Sequence, residues 1–228
     1  MKKFAAICDT SMIFNYPPII SILAALGLNN NGFKTIPLKG NLQLFSGSCQ
    51  SYVGSKDLIG EMRKDGVKFD SIYIGNLSTM EDVDTVISFI NEFKNDDATV
   101  VVNPIVEEDA YSHLEKMREL ITLAQVITPS YSVTSKFLQH NNSKVTYGDL
   151  KTFVKSLSDI GPKVTFITDI PDPNHTEETF VLAYDKNISA YWTIPNCYKK
   201  DAKFTFVDVL TELIIKECDL SEVMNSFL

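Results

Sequence analysis

Five short polar clusters stand where apolar runs stop: Asp9-Thr10-Ser11, Gly75-Asn76, Asn103-Pro104, Thr128-Pro129-Ser130 and Thr168-Asp169. Hydroxyls and amides dominate them, a chemistry that suits holding phosphate and hydroxyl groups better than acyl transfer. The sequence contains no GxSxG elbow, no Walker A loop and no GxGxxG turn. His113, His140 and His175 are scattered and none follows a strand-like run, so nothing in the spacing positions a catalytic histidine. Cys8, Cys49, Cys197 and Cys218 are far apart and form no CxxC pair, which reads as buried or incidental thiols and not as a zinc site or disulfide framework.

The elements that must position these clusters alternate. Lys3 to Cys8 reads as a buried strand, and Pro17-Pro18 opens a helix whose apolar positions Ile19, Ile20, Leu23 and Leu26 run to Gly27. A strand over Phe33 to Leu38 follows, then the polar stretch Lys39 to Gly54, whose length suggests an active-site flap or its remnant. From there the pattern predicts helix 55–65, strand Phe69 to Ile74, helix 79–94 with Ser78 and Glu81 as a capping box, and strand Thr99 to Asn103. Helix 108–123, strand Gln125 to Thr128, helices 130–140 and 147–159, and strand Lys163 to Thr168 continue it. Thr179 to Tyr184 and Ile188 to Thr193 read as a hairpin around Asp185-Lys186-Asn187, with Tyr191 and Trp192 as core, and Phe204 to Lys216 reads as the last long helix.

Runs such as Thr99-Val100-Val101-Val102 and Val164-Thr165-Phe166-Ile167 are apolar on both faces, as in a parallel sheet covered by helices on both sides. The fold class is therefore α/β, a doubly wound, mostly parallel sheet, formed by residues 1–228 as a single domain. In such a sheet ligands bind at the carboxyl ends of the strands, where the five clusters fall. A net charge of −8, with no long basic run, argues against nucleic acid and anionic membrane as partners. No apolar stretch is long enough to span a bilayer and the start loses its apolar character at Asp9, so the expectation is a cytoplasmic protein.

Asn103-Pro104-Ile105-Val106, followed by Gln125-Val126-Ile127-Thr128-Pro129-Ser130, resembles the pair Asp-Pro-Val-Met and Asp-Ile-Ile-Thr-Pro-Asn of the bacterial pyridoxal kinases, in the ribokinase-like superfamily. In the same order, Ala5-Ala6-Ile7-Cys8-Asp9 resembles that family's first strand. Phe69 to Ser78 resembles its segment ending in Tyr-Ser-Gly-Phe-Leu-Gly, and Gly161 to Thr168 the strand leading into its nucleotide site. Val207-Asp208-Val209 falls where Gly-Asp-Val closes its Gly-Thr-Gly-Asp motif. The resemblance implies ATP and Mg2+ as cofactors and phosphorylation of the 5′-hydroxymethyl of pyridoxal, pyridoxine or pyridoxamine in vitamin B6 salvage, by a homodimer. It implies Asp208 as general base, and Asn103, Thr128, Ser130, Thr168, Thr205, Phe206 and Val207 around the ATP phosphates. It further implies Asp9, Thr10 and Asn76 against the B6 vitamer; for the metal, Glu107 or Glu108 stands near Asn103, though neither is at the family's matching position.

The sequence departs from that pattern at several points. Thr205-Phe206-Val207 stands for Gly-Thr-Gly, Asn103 for Asp, Ser130 for the Asn of Thr-Pro-Asn, and Val133 for a Glu. Two alternatives therefore stay open, a catalytically silent protein of this fold that binds a vitamer or related small molecule, and a hydroxymethylpyrimidine-type kinase. Asp208 itself could instead be an ordinary first-turn acid of the last long helix, with Thr205 as its N-cap.

Overall fold

The computed structural model describes residues 3–9, 36–75, 77–104, 111–140, 145–172, 175–195, 206–216 and 219–227. Its frame is one mixed sheet of nine strands: β1 (Phe4–Asp9), β2 (Ile36–Lys39), β3 (Leu42–Phe45), β4 (Phe69–Ile74), β5 (Lys94–Val102), β6 (Val126–Ile127), β7 (Val164–Asp172), β8 (His175–Asp185) and β9 (Ala190–Pro195). The spatial order is β2-β3-β1-β4-β5-β6-β7-β8-β9. The five central strands β1, β4, β5, β6 and β7 pair in parallel, and an antiparallel hairpin closes each side.

Both faces of the central strands are dry, as their apolar runs require. Ile7, Ile72, Ile74, Val100, Val102, Ile127 and Ile167 point to one side. There they meet helices α1 (Leu58–Lys64), α2 (Met80–Phe93), α3 (Tyr111–Thr122), α4 (Tyr131–Phe137) and α5 (Tyr147–Ser158). Ala6, Cys8, Tyr73, Val101, Val126 and Phe166 point to the other, beneath α6 (Phe206–Lys216) and α7 (Leu220–Phe227). The helix of Pro17 to Gly27 falls outside the described residues. Among the described residues no helix is long and apolar enough to cross a membrane.

Several boundaries differ from expectation for identifiable reasons. Lys39 to Gly54 is no flap: Gly40, at φ +54°, and Asn41 form a two-residue turn that folds β3 back between β2 and β1, and a 3-10 segment (Gly47–Tyr52) follows. The hairpin is tied down by Ser46, whose hydroxyl donates to the Phe4 carbonyl at 2.6 Å, and by the ion pair of Lys39 with Glu81. The capping box of α2 lies one residue beyond Ser78 and Glu81: Thr79 accepts from the Asp82 N–H, and the Asp82 carboxylate accepts from the Thr79 N–H. Thr146 and Asp149 repeat this at α5, and the N–H and hydroxyl of Thr146 hold the Asp149 carboxyl below the usual carboxylate range. β5 begins at Lys94, directly out of α2, and β7 and β8 extend well past their expected ends. α7 is an element the sequence reading lacked.

The direction of α6 fixes which end of the sheet its first turn reaches. Phe206, in that first turn, meets the Phe166 ring edge to face at 5.2 Å, two residues further along β7 than Val164. Leu213, two turns on, lines a small cleft with Val126 and Val164 at the amino ends of β6 and β7. The helix therefore runs antiparallel to the central strands, its amino terminus leading toward their carboxyl ends.

Candidate functional site

One residue beyond β4, β5 and β6, and at Thr168 midway along β7, the backbone still bonds to its neighbour. The Gly75 N–H donates to the Ile7 carbonyl at 2.8 Å, Asn103 to Ile74 at 2.8 Å, Thr128 to Val102 at 3.0 Å, and Thr168 to Pro129 at 2.9 Å. Ser130 and Thr168 form a further parallel bridge. These bonds set Asp9, Gly75, Asn103, Thr128, Ser130 and Thr168 in order along one edge of the sheet. At one strand spacing per step the edge is about 20 Å long, room for a nucleotide beside a small acceptor.

Each described side chain has a definite setting. Asp9 is buried at the end of β1. Asn103 is half-buried, Thr128 is buried, and Thr168 is half-buried with its hydroxyl donating to the Asp169 carboxylate at 3.0 Å. Ser130 is the N-cap of α4, its oxygen accepting from the Val133 N–H at 3.2 Å, which leaves its hydroxyl proton to donate. Phe206 is buried with its ring in the core, so what it can offer a phosphate is its backbone N–H. For Val207 and Asp208 the description covers the backbone alone, which lies in the first turn of α6, the positive end of an 11-residue helix. Thr10, Asn76, Glu107 and Thr205 lie outside the described residues.

Other chemistry-bearing groups sit elsewhere. The His140 ring lies edge-on to Phe153 at 4.8 Å, beyond the carboxyl end of α4 and away from the strand ends. Cys8 and Cys49 are free and buried, and burial, reinforced by the Asp9 charge, pushes the Cys8 thiol up to about 12. Among the described residues no group of three His, Cys, Asp or Glu side chains could hold a metal ion. The edge instead presents hard oxygen donors, from an amide, hydroxyls and the Asp169 carboxylate. That set fits Mg2+ as it is usually carried, by nucleotide phosphates with one or two protein carboxylates.

Asp169 belongs to one of the five polar clusters but drew no assigned role from the sequence, and its backbone is the reason it stands out. It adopts φ +55° within β7, where the register to β8 shifts between Ile167 and Ile170. Ile167 and Ile170 face the same core although three residues apart, which requires one inserted residue, a bulge.

Comparison with solved structures places this arrangement. A protein of Bacteroides thetaiotaomicron assigned as a phosphomethylpyrimidine kinase, solved with pyridoxal, superposes with a TM-score of 0.66 at 22% identity, over 92% of this chain and 79% of that one. The pyridoxal kinase of Bacillus subtilis, solved with ADP, gives 0.58 at 22% identity, over 98% and 86%. The chain has the fold of the pyridoxal kinases. The pyridoxal kinase of Staphylococcus aureus, in complex with AMP-PCP and pyridoxal, gives 0.58 at 16% identity, over 92% and 78%. No family model matches the chain, and no curated protein matches it in sequence. The resemblance drawn from strand-end motifs is thus met at the level of fold, in a pyridoxal kinase-like sheet whose carboxyl edge gathers the described members of those motifs.

Proposed function

We propose that this protein is an ATP-dependent kinase acting on the hydroxymethyl group of a B6 vitamer or a closely similar heterocycle. The observation that carries this reading is the stepped edge. Asp9, Asn103, Thr128, Ser130 and Thr168 share the carboxyl ends of β1, β5, β6 and β7, and α6 brings its amino terminus to the same end. Its support from similar folds is that the B. thetaiotaomicron protein was solved with pyridoxal and the S. aureus kinase with both AMP-PCP and pyridoxal.

In this reading Asp208, in the first turn of α6, takes the proton of the acceptor hydroxyl as it attacks the γ-phosphorus, the bond to the β–γ bridging oxygen breaks to release ADP, and the helix amino terminus steadies the transferring phosphoryl charge. Thr128 and Ser130 donate hydroxyls to phosphate oxygens, Thr168 does so once its proton turns from the Asp169 carboxylate, and Asp9 with Asn76 and Thr10 contacts the heterocycle. Mg2+, carried by the nucleotide, would be held by its phosphates beside the oxygen donors of this edge and would supply neutralisation of the phosphate charge.

The test is transfer of labelled γ-phosphate from ATP to pyridoxal, pyridoxine, pyridoxamine and a hydroxymethylpyrimidine, with Asp208→Asn alongside. Removal of a general base lowers kcat by about 10²- to 10⁴-fold. A folded protein that transfers phosphate to none of the four refutes the kinase reading. One observation favours a second reading. Phe206 is committed to the core where the resembling family carries a flexible glycine motif, which suits a fold retained for binding alone. Calorimetry separates the two, since tight vitamer binding without any nucleotide binding supports the silent protein.

A further inference from the structure

At the end of the sheet opposite the strand-end clusters, a cleft of about 220 Å3 opens toward the amino ends of β5, β6 and β7. The β8–β9 turn, α6 and the start of α7 complete its walls. Buried Val126 and Val164 of the sheet and Leu213 and Leu220 of the helices give it an apolar lining. Three carboxylates, Asp97, Asp185 and Asp219, stand around it against one ammonium, Lys163, which leaves a net charge of −2. Among the described residues no three such groups could hold a metal ion, so these charges are spread around the cleft and not gathered on one point.

Two polar groups of the lining are anchored by backbone and only half used. Asp185 is 2% exposed, a depth at which carboxylates are almost always paired. Its Oδ1 accepts from the Asn187 N–H at 2.9 Å, while its Oδ2 has no partner among the described residues. Gln125 is held through Oε1, which accepts from the Val100 N–H at 2.7 Å, so both protons of its amide nitrogen are free to donate. A buried carboxylate oxygen left without a donor costs stability, and a ligand that supplies the donor recovers it.

We infer that this cleft is a second binding site, for a small organic cation with an ammonium or guanidinium head on a short apolar stem. The head donates to Asp185 Oδ2 in the field of Asp97 and Asp219, and the stem lies against the four apolar side chains. An anion would meet the carboxylates, and a neutral apolar ligand would leave Asp185 unpaired. The cleft is smaller than pockets that take drug-sized ligands, which suits a short-chain amine and excludes a nucleotide. The site is independent of the transfer chemistry, since it lies at the other end of the central strands.

The measurement is calorimetric titration of agmatine, 1,4-diaminobutane and, as the anionic control, glutarate into the full chain. At least one amine is expected to bind one to one with a Kd below about 1 mM, and glutarate is expected not to bind. Asp185→Asn keeps Oδ1 for the Asn187 N–H and removes the charge, so it should weaken the amine at least about tenfold. Asp97→Asn, at an exposed position, should weaken it severalfold in a protein whose folding is unaffected, and Lys163→Met should tighten it. Failure of both amines to bind overturns the inference, as does binding of glutarate in their place. Equal amine affinity in the wild type, Asp185→Asn and Asp97→Asn also overturns it, since the amine would then be held only by the overall charge of −8.

Discussion

Replacing Phe206 by alanine tests the placement of α6, on which the proposed chemistry depends. The ring is 5% exposed and sits edge to face on Phe166, within the apolar cluster that α6 and α7 share against this face of the sheet. Truncating a phenylalanine so enclosed costs about 3–5 kcal/mol, through lost burial and the cavity left behind. In a chain of this length each kcal/mol lowers the melting temperature by about 2–4 °C, so Phe206→Ala should melt roughly 10 °C below the wild type. Phe206→Leu, which keeps most of the volume, should lose less than half as much. Differential scanning calorimetry with a urea titration reads both. Because Phe206 also anchors the first turn of α6, the alanine variant should bind AMP-PCP more weakly at a temperature where both proteins are folded, and the leucine variant should bind nearly as the wild type does. An alanine variant melting within about 2 °C of the wild type would mean that the ring is not buried against β7. The antiparallel course of α6, and with it the position of Asp208 at the strand ends, would then be wrong.

The packing yields two further outcomes. The folded protein keeps the Cys8 proton up to about 12, whereas the unfolded chain releases it near 9.0, so stability is fully present below pH 9.0 and declines as pH rises toward 12. The decline attributable to this thiol approaches about 1.4 kcal/mol per pH unit inside that window. Urea midpoints at pH 8 and 10.5 should converge between wild type and Cys8→Ala as pH rises, and a constant gap refutes the assignment. At the α5–β7 connection, a Cβ on Gly161 would stand 3.1 Å from the Thr122 Cα, which is backbone and cannot swing aside. Gly161→Ala should therefore cost about 1–3 kcal/mol by overpacking, and an unchanged urea midpoint would show that the α3 terminus yields freely.

What was legible in the sequence is what local pattern controls. Val100 to Val102 and Val164 to Ile167 announced a sheet buried on both faces, and their ends announced its edge, because an apolar run must stop where the sheet meets water or ligand. Ser78 with Glu81 and Thr79 with Asp82 satisfy the same capping pattern, and only the backbone of the first turn chooses between them. The β2–β3 hairpin was hidden inside a polar stretch, although Gly40-Asn41 between Leu38 and Leu42 is turn chemistry and Leu42 and Leu44 alternate as a half-buried strand does.

The rest depends on partners distant in the chain. Asp169 is a left-handed, exposed carboxylate because β8 pairs with β7 out of step, and nothing near residue 169 encodes that slip. Phe206 is the sharper case. Aligned with a glycine motif, it looks like an obstruction in a phosphate site, since any side chain there keeps backbone amides from a ligand. The obstruction argument holds only if the ring points at the ligand, and the direction is decided by Phe166, which offers it an apolar seat on the far side of the helix start. A motif position is therefore a statement about backbone, and whether losing its glycine abolishes function depends on whether the sheet beneath has room for the side chain that replaced it.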